Sequence, residues 1–509
     1  MSPKNEAQEY LREKIDEIAA TISLEKFSNK PGWARANFDY GRNMLLLAEI
    51  DKNFFSCDLY EEAILAFKNA MIFYQNNNDI INNCAASFAL SRGLRYYAIR
   101  KGDQAGLAYL KKADKLLKKL HNTLQNSEYY IQQVMLKCEQ ANLMRDFMQL
   151  SPMQSHLLYL KKSINLYKQS LNILRVKEDY TNWQHVLILL GSLYSEMSVL
   201  QNTEQASIYL KNAIEVFESI IKATDVTVNS KDIEPPYENL VAHLELAFLY
   251  SSMARISNND KYIAKALNCF QKISNNNQLN FSIETILRIE QEKAYLLYKH
   301  ANLQSDLYSK ITSLKKAASL YKINLKQLEQ LNYINEIMQT YTDLSKIFDI
   351  LANIVLSPKE KNIYLEEAIS YYKKSLKYIT DKTKLILIYK KLARNEATLA
   401  LTNKDNNKYL MCKSYRHALL YLHKALKLTE TKSPVYYNLQ LKIISIMRDL
   451  GKYNKPLKIY YNAAIKFLKN VQDSNKFSLH YNKIKQDIDK IFIKNKFKYT
   501  IQKLLGFNF

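Results

Sequence analysis

A short pattern that returns about every fifty residues constrains the fold of this chain more than any other feature of its sequence. A large apolar residue is followed by a small residue, an apolar residue and an aromatic residue or leucine, as in Leu210-Lys-Asn-Ala213-Ile214-Glu-Val-Phe217. Successive copies of the small residue are 50, 50, 50, 53, 51, 51, 50 and 38 positions apart. They are Ala63, Ala113, Ser163, Ala213, Ala266, Ala317, Ala368, Ala418 and Pro456. Such self-similarity predicts a protein built from repeated supersecondary units.

A second set of small residues accompanies the first, always 19 to 25 positions upstream, with Leu190-Gly191-Ser-Leu-Tyr194 as a clear copy. Its members are Gly41, Ser91, Ala141, Gly191, Ala247, Ala294, Ser345 and Ala393. Each repeat is therefore predicted to hold two helices, an upstream helix A and a downstream helix B. The apolar positions around the small residue of helix B fall on one stripe of a helix. Because a single hairpin cannot cover that stripe, the hairpins must stack on one another.

Glycine is scarce, with 8 copies in 509 residues and none between Gly191 and Gly451. Average usage would give about 35. Tight turns and phosphate-binding loops depend on glycine, so the scarcity argues against a sheet-rich or nucleotide-cradling fold. Unbroken apolar runs are much shorter than the roughly 18 residues that span a bilayer. The composition therefore predicts an almost purely helical, folded chain.

The Leu-Gly-x-x-Tyr sequence of helix A and the Ala…Phe sequence of helix B resemble the signature of tetratricopeptide repeats (TPR). The segment from Leu450-Gly-Lys-Tyr453 to Ala463 resembles that family in linker length as well. The resemblance covers about residues 31–470 and implies an all-α, right-handed, TPR-like superhelical solenoid of stacked antiparallel helix hairpins. It also implies a concave face, lined mainly by A helices, that holds an extended peptide or a partner helix. The period of about 50 exceeds the family's roughly 34, which predicts longer helices and a longer A–B loop.

The chain is expected to divide into three segments. Residues 1–30 are predicted to form an N-terminal capping helix, in which Leu11, Ile15 and Ile18 cover the first hairpin. Residues 31–470 would form a solenoid of eight to nine helical hairpins. Residues 471–509 would form a basic capping helix at the other end, since the last repeat of a solenoid needs a cover.

Positive charge is concentrated at the C-terminus. The chain carries a net charge of +24, and residues 401–509 hold 22 Lys and Arg against 6 Asp and Glu. We favour the charged outer side of the capping helix as the explanation, and codon bias accounts for part of the lysine content. The alternative is a surface for single-stranded RNA or anionic membrane, because lysines alternate there with aromatic and apolar residues. The candidate contacts are Lys483, Lys485, Lys494, Lys496 and Lys498.

Three arginines share the position that follows the small residue of helix A. Arg42, Arg92 and Arg394 are candidates to meet an acidic partner, although ordinary surface arginines are the favoured interpretation. Some TPR proteins clamp a C-terminal carboxylate with Lys and Asn at two positions that flank this small residue. The five pairs from Phe38/Arg42 to Leu244/Phe248 contain no such combination, so the resemblance disfavours this kind of capture.

The sequence contains no recognisable catalytic constellation. P-loop, dinucleotide-binding, nucleophile-elbow and H-E-x-x-H motifs do not occur. His417 and His423 lie six positions apart and face different ways on a helix, and the adjacent Glu61 and Glu62 are expected on its solvated side. We therefore predict a non-enzymatic scaffold for protein–protein interaction, with no catalytic residue, metal, cofactor or small-molecule substrate.

The cysteines and the N-terminus bear on location. Five widely spaced cysteines predict unpaired core residues in a reducing compartment. The first residues lack the apolar core of a secretory signal. These features predict a cytoplasmic protein, and export as an effector by a route without an N-terminal signal stays open.

Overall fold

The computed structural model describes residues 3–25, 31–50, 56–124, 127–227, 237–257, 259–274, 281–404, 407–430 and 433–453. Within these ranges the chain forms 18 α-helices and two short 3-10 helices, Ser127–Tyr129 and Met153–Ser155, and no strand. From the first to the eleventh α-helix, and again from the twelfth to the eighteenth, each helix packs against the next. The prediction of an all-α, TPR-like stack of antiparallel hairpins is confirmed, whereas its right-handed sense stays a prediction.

The helices alternate between A and B types after the first, α1 (Pro3–Glu25). The A helices are α2 (Pro31–Ile50), α4 (Ile80–Lys101), α6 (Tyr130–Gln149), α8 (Tyr180–Val199), α10 (Tyr237–Ser257), α12 (Ile283–Leu303), α14 (Ile334–Ile354), α16 (Lys382–Thr402) and α18 (Pro434–Tyr453). The B helices are α3 (Ser56–Asn76), α5 (Asp103–Thr123), α7 (His156–Val176), α9 (Thr203–Thr227), α11 (Asp260–Ser274), α13 (Leu307–Leu331), α15 (Pro358–Ser375) and α17 (Lys408–Leu428). The described part thus contains eight complete hairpins and one further A helix.

The chain forms two compact units, residues 1–277 and 278–509. In the first unit, α4 also lies against α6 and α8 against α10, so that A helices of adjacent hairpins touch. B helices of adjacent hairpins do not pack to that extent in the described residues. The A helices therefore form the more closely spaced side of this unit. In the second unit each helix from α12 to α18 packs on the next.

The predicted small residues lie where the two helices of a hairpin cross. Every member of both sets within the described ranges is buried. The Ser163 hydroxyl of α7 donates to the Ala141 carbonyl of α6 at 2.9 Å. A Cβ on Gly191 of α8 would lie 2.5 Å from Cε2 of Phe217 in α9. These contacts confirm that the small residues let the backbones approach while the aromatic residue of helix B fills the adjacent space; Pro456 lies outside the described residues.

Polar residues end and begin several of the helices. Asn78 takes a left-handed conformation with φ of 54°. Asp79 then caps α4, and its Oδ1 accepts from the Asn82 backbone N–H at 3.1 Å. Asn407 caps α17 in the same way, through the Leu410 N–H at 3.0 Å. Each cap satisfies one of the backbone donors that a helix leaves unpaired at its start.

The first helix, α1, packs on α2. Leu11 and Ile15 are buried there, whereas Ile18 is partly exposed. The capping role of residues 1–30, and the extent of the solenoid over 31–470, stay predictions. The predicted basic helix at 471–509 lies outside the described residues.

Candidate binding faces

Buried ion pairs join A helices of the first unit. Arg95 of α4 is buried and donates from Nη1 to Glu139 of α6 at 2.6 Å and from Nε to Asp146. Burial alone would lower the pKa of Arg95, but Asp146 and Glu139 hold it above its usual value. Glu139 also accepts from Arg92 at 2.7 Å. This arrangement fixes the lateral position of α4 against α6 and leaves none of these four charged groups unpaired.

The second unit carries a different charge pattern on its A helices. Asp349 of α14 is buried, accepts from Arg394 of α16, and lies 3.8 Å from Nζ of Lys391. On α18, burial and the positive charges of Lys390, Arg394 and Lys391 lower the pKa of Lys442. Neither Lys390 nor Lys442 forms an ion pair with a described carboxylate. Two cations of α16 therefore share the carboxylate of Asp349, and Lys390 and Lys442 add positive charge near them.

The structure places the three predicted arginines in different settings. Arg42 is exposed and forms no ion pair with a described residue. The side chain of Arg92 is 49% exposed and that of Arg394 is 50% exposed, and both pair with a carboxylate on a neighbouring A helix. A partner would have to share these two arginines with Glu139 and Asp349. Their predicted role in partner binding stays a prediction.

The remaining candidates are Lys483, Lys485, Lys494, Lys496 and Lys498, and all five lie outside the described residues. Sequence reasoning missed Lys390, Lys391 and Lys442, which accompany Arg394 in the structure. One signal was available, since Lys390 and Arg394 are four positions apart and so share a face of α16. No pattern within α18 alone indicates that Lys442 lies near these residues of α16.

No group of three or more His, Cys, Asp or Glu residues in the described ranges could hold a metal ion. Nδ1 of His417 lies 3.3 Å from Oε1 of Glu396, whose side chain is almost fully buried and is also 3.6 Å from Lys373. This contact joins α15, α16 and α17 and is consistent with a structural role. None of the described helices is long and apolar enough to cross a membrane.

The five cysteines are unpaired. Burial raises the pKa of three thiols to about 11; they are Cys84, Cys138 and Cys269. Because the thiolate is the reactive form, these three side chains are poor nucleophiles at neutral pH. Their burial agrees with the predicted role of cysteines as small residues of the core.

Comparison with known proteins gives similarity to solved structures alone. No family model and no curated protein matches the chain. The nuclear import adaptor Nro1 of S. pombe is 14% identical, with 61% of this chain and 98% of that chain covered and a TM-score of 0.36. The quorum sensor NprR from B. thuringiensis, in its apo form, is 15% identical over 83% of this chain and 99% of that chain, with a TM-score of 0.31. The human IFIT1 dimer with m7Gppp-AAAA is 10% identical over 90% and 94%, with a TM-score of 0.31.

Similarities at these TM-scores carry no argument about what this chain binds. The helical-repeat architecture rests on the chain's own helix packing and on the burial of its repeated small residues.

Proposed function

We propose that this chain is a non-enzymatic scaffold or adaptor whose A-helix face holds an acidic peptide or an acidic helix of a protein partner. One observation carries the proposal: positive charge is in excess on α16 and α18. Arg394 and Lys391 share the carboxylate of Asp349, while Lys390 and Lys442 lie near them and pair with no described carboxylate. Like charges held this close raise the free energy of the folded state. Carboxylates of a partner would offset that repulsion and raise the lowered pKa of Lys442.

Direct binding of a defined acidic probe tests the charge requirement. Fluorescence anisotropy with a labelled octaglutamate peptide should detect binding that weakens as salt screens the charges. The double variant Lys390→Glu/Lys442→Glu should lower the affinity about tenfold or more, because it places like charges opposite the probe. The matched control is Lys111→Glu/Lys161→Glu, which changes two exposed lysines of B helices by the same charge. Equal losses in both variants would refute a role for the A-helix face.

Site-specific crosslinking tests which face a natural partner uses. A photoreactive residue at Arg42 or Lys390 should capture protein from cell extract, whereas the same residue at Lys111 or Lys161 should not. The experiment is repeated with a chain that ends at Leu468. Adducts at the A positions that persist in the shorter chain support the proposal. Loss of all adducts on truncation would favour the alternative, in which RNA or anionic membrane meets the basic C-terminus.

A further inference from the structure

A cleft of about 470 Å³ lies in the second unit and is lined by residues of α13, α14 and α15. One wall is α13, which contributes Lys315, Lys322 and Lys326. These lysines are spaced by seven and four positions, so they lie on one face of the helix. Phe348 of α14 and Tyr364 of α15 supply aromatic surface opposite them. The volume is in the range of pockets that hold small organic ligands.

The aromatic surface is the end of a longer row of rings. Tyr364 stacks on Phe348, with centroids 6.1 Å apart and an interplanar angle of 25°. Phe348 stacks on Tyr371 at 5.8 Å and 7°. Tyr371 continues the row to Tyr341, and Tyr341 stacks on Tyr378. Tyr364 is therefore the terminal ring of this row among the described residues, and it lines the cleft.

The lysines of the cleft differ in their partners. Nζ of Lys322 lies 4.8 Å from the centre of the Phe348 ring and 3.3 Å from Oε1 of Glu367, so its charge is compensated. Lys315 and Lys326 are exposed and pair with no described carboxylate. The lining of the cleft contains no acidic side chain. The cleft thus offers two uncompensated ammonium groups beside a stacked aromatic row.

We propose that this cleft binds a nucleotide unit, free or within a single strand of RNA, with the base stacked on Tyr364 and separate phosphate groups held by Lys315 or Lys326. A nucleotide supplies both a flat π system and an anion, which is the combination that aromatic and basic side chains recognise in single-stranded nucleic acids. An acidic peptide would satisfy the lysines and leave the aromatic surface unused. The cleft shares no residue with the cations of α16 and α18, so the inference does not depend on partner binding there.

The test measures binding of three probes to the full chain by fluorescence anisotropy or by competition. A labelled octauridylate offers bases and phosphates, ATP offers one nucleotide, and inorganic polyphosphate offers phosphates without bases. Tyr364→Leu keeps an apolar side chain against the core but removes the ring. It should weaken octauridylate binding about tenfold, the loss of one stacked base, and leave polyphosphate binding unchanged. The matched control is Tyr409→Leu, since Tyr409 is an exposed tyrosine on α17.

A lysine pair tests the phosphate contacts separately. Lys315→Ala/Lys326→Ala should weaken octauridylate and polyphosphate alike, and lower the salt slope of octauridylate binding by about 1.4, because each phosphate contact on a single strand contributes about 0.7. Lys111→Ala/Lys161→Ala is the control with the same charge change. Every variant retains the basic C-terminus, so any binding there is common to all measurements. Ultraviolet crosslinking of octauridylate to the wild-type chain should also give adducts on peptides from α13 to α15, a result that needs no variant.

The outcomes separate the ligand sources. If ATP competes with octauridylate and Tyr364→Leu weakens both to the same extent, a free nucleotide is sufficient for binding. If only octauridylate binds, the ligand is a single strand of RNA. The proposal is overturned if Tyr364→Leu binds octauridylate like the wild type while crosslinks fall outside α13 to α15. It is also overturned if the control lysine pair loses as much affinity as Lys315→Ala/Lys326→Ala.

Discussion

Replacing Gly191 by alanine adds a single methyl group at the point where α8 and α9 lie closest together. Its Cβ would lie 2.5 Å from Cε2 and 2.7 Å from Cζ of Phe217, whose side chain is fully buried. An enclosed ring cannot move aside without displacing its neighbours, so the overpacking should cost about 1–3 kcal/mol. Alanine regains about 1 kcal/mol over glycine in a helix. We expect a net loss of up to about 2 kcal/mol in the free energy of unfolding.

The same substitution can be made at two other glycines, where the added Cβ would have different distances to its nearest neighbour. A Cβ on Gly93 of α4 would lie 3.3 Å from Cγ1 of Ile64, a contact that relaxes by a few tenths of an ångström. Helix propensity should therefore dominate, and Gly93→Ala should stabilise the chain by up to about 1 kcal/mol. A Cβ on Gly41 of α2 would lie 2.9 Å from Phe67, between the two cases. All three positions are in A helices of the first unit; Gly41 and Gly191 meet helix B of their own hairpin, whereas Gly93 meets α3 of the preceding hairpin.

Urea titration followed by far-UV circular dichroism compares the three variants, and hydrogen exchange in α8 and α9 locates the effect of Gly191→Ala. The expected order of stability is Gly93→Ala, then Gly41→Ala, then Gly191→Ala. Gly191→Ala introduced into a Phe217→Leu background should no longer be destabilising, because the ring that it meets is gone. Equal stability of the three variants, or an undiminished loss of stability from Gly191→Ala in the Phe217→Leu background, would refute the idea that the small residues set the spacing within a hairpin.

Three further outcomes follow from buried groups. Arg95→Ala should cost about 3–5 kcal/mol in urea titration, because it removes the buried partner of Asp146 and leaves Glu139 with Arg92 alone. Arg92→Ala removes a half-exposed partner of the same Glu139 and should cost less than about 1 kcal/mol; similar losses would contradict the difference in burial. Burial, followed by the hydrogen bond to Glu218, raises the pKa of Tyr250 above its ordinary value. The resulting contribution to stability is present below pH about 10 and is lost as the pH rises further. Tyr250→Phe should therefore reduce the loss of stability at alkaline pH, measured by melting curves at a series of pH values. Iodoacetamide at pH 8, with mass spectrometry, should label two cysteines before the three with raised pKa values, and simultaneous labelling would argue against their burial. The early pair is Cys57 and Cys412, and the late group is Cys84, Cys138 and Cys269.

The organisation of the hairpins follows from the sequence because its determinants are local. The break at Asn76-Asn-Asn-Asp79 coincides with the end of α3 and the start of α4. The buried stripe of each helix is set by residues three and four positions apart, so it is readable from a short window. Even the contact between Gly191 and Phe217 was implied, since the alternation of small and large residues repeats in every hairpin.

The binding faces are less predictable because they depend on register between hairpins. The carboxylate that meets Arg92 is 47 positions away, and the one that meets Arg394 is 45 positions away. No pattern within one helix identifies such a partner. The cleft beside α13 likewise combines lysines of one helix with rings of the next two. The sequence contains these residues, but only the stacking of hairpins brings them together.

These ion pairs share a sequence separation close to one repeat. The hydrogen-bonded pairs Arg145–Glu196 on the A helices and Glu218–Lys265 on the B helices are 51 and 47 positions apart. Opposite charges one repeat apart therefore tie neighbouring hairpins together on both sides of the stack. Lys390 and Lys442 are 52 positions apart and break this rule, because they place like charges on neighbouring A helices. A contact that served stability alone would carry opposite charges there, and this repulsion between α16 and α18 is the reason for proposing an anionic partner that joins them.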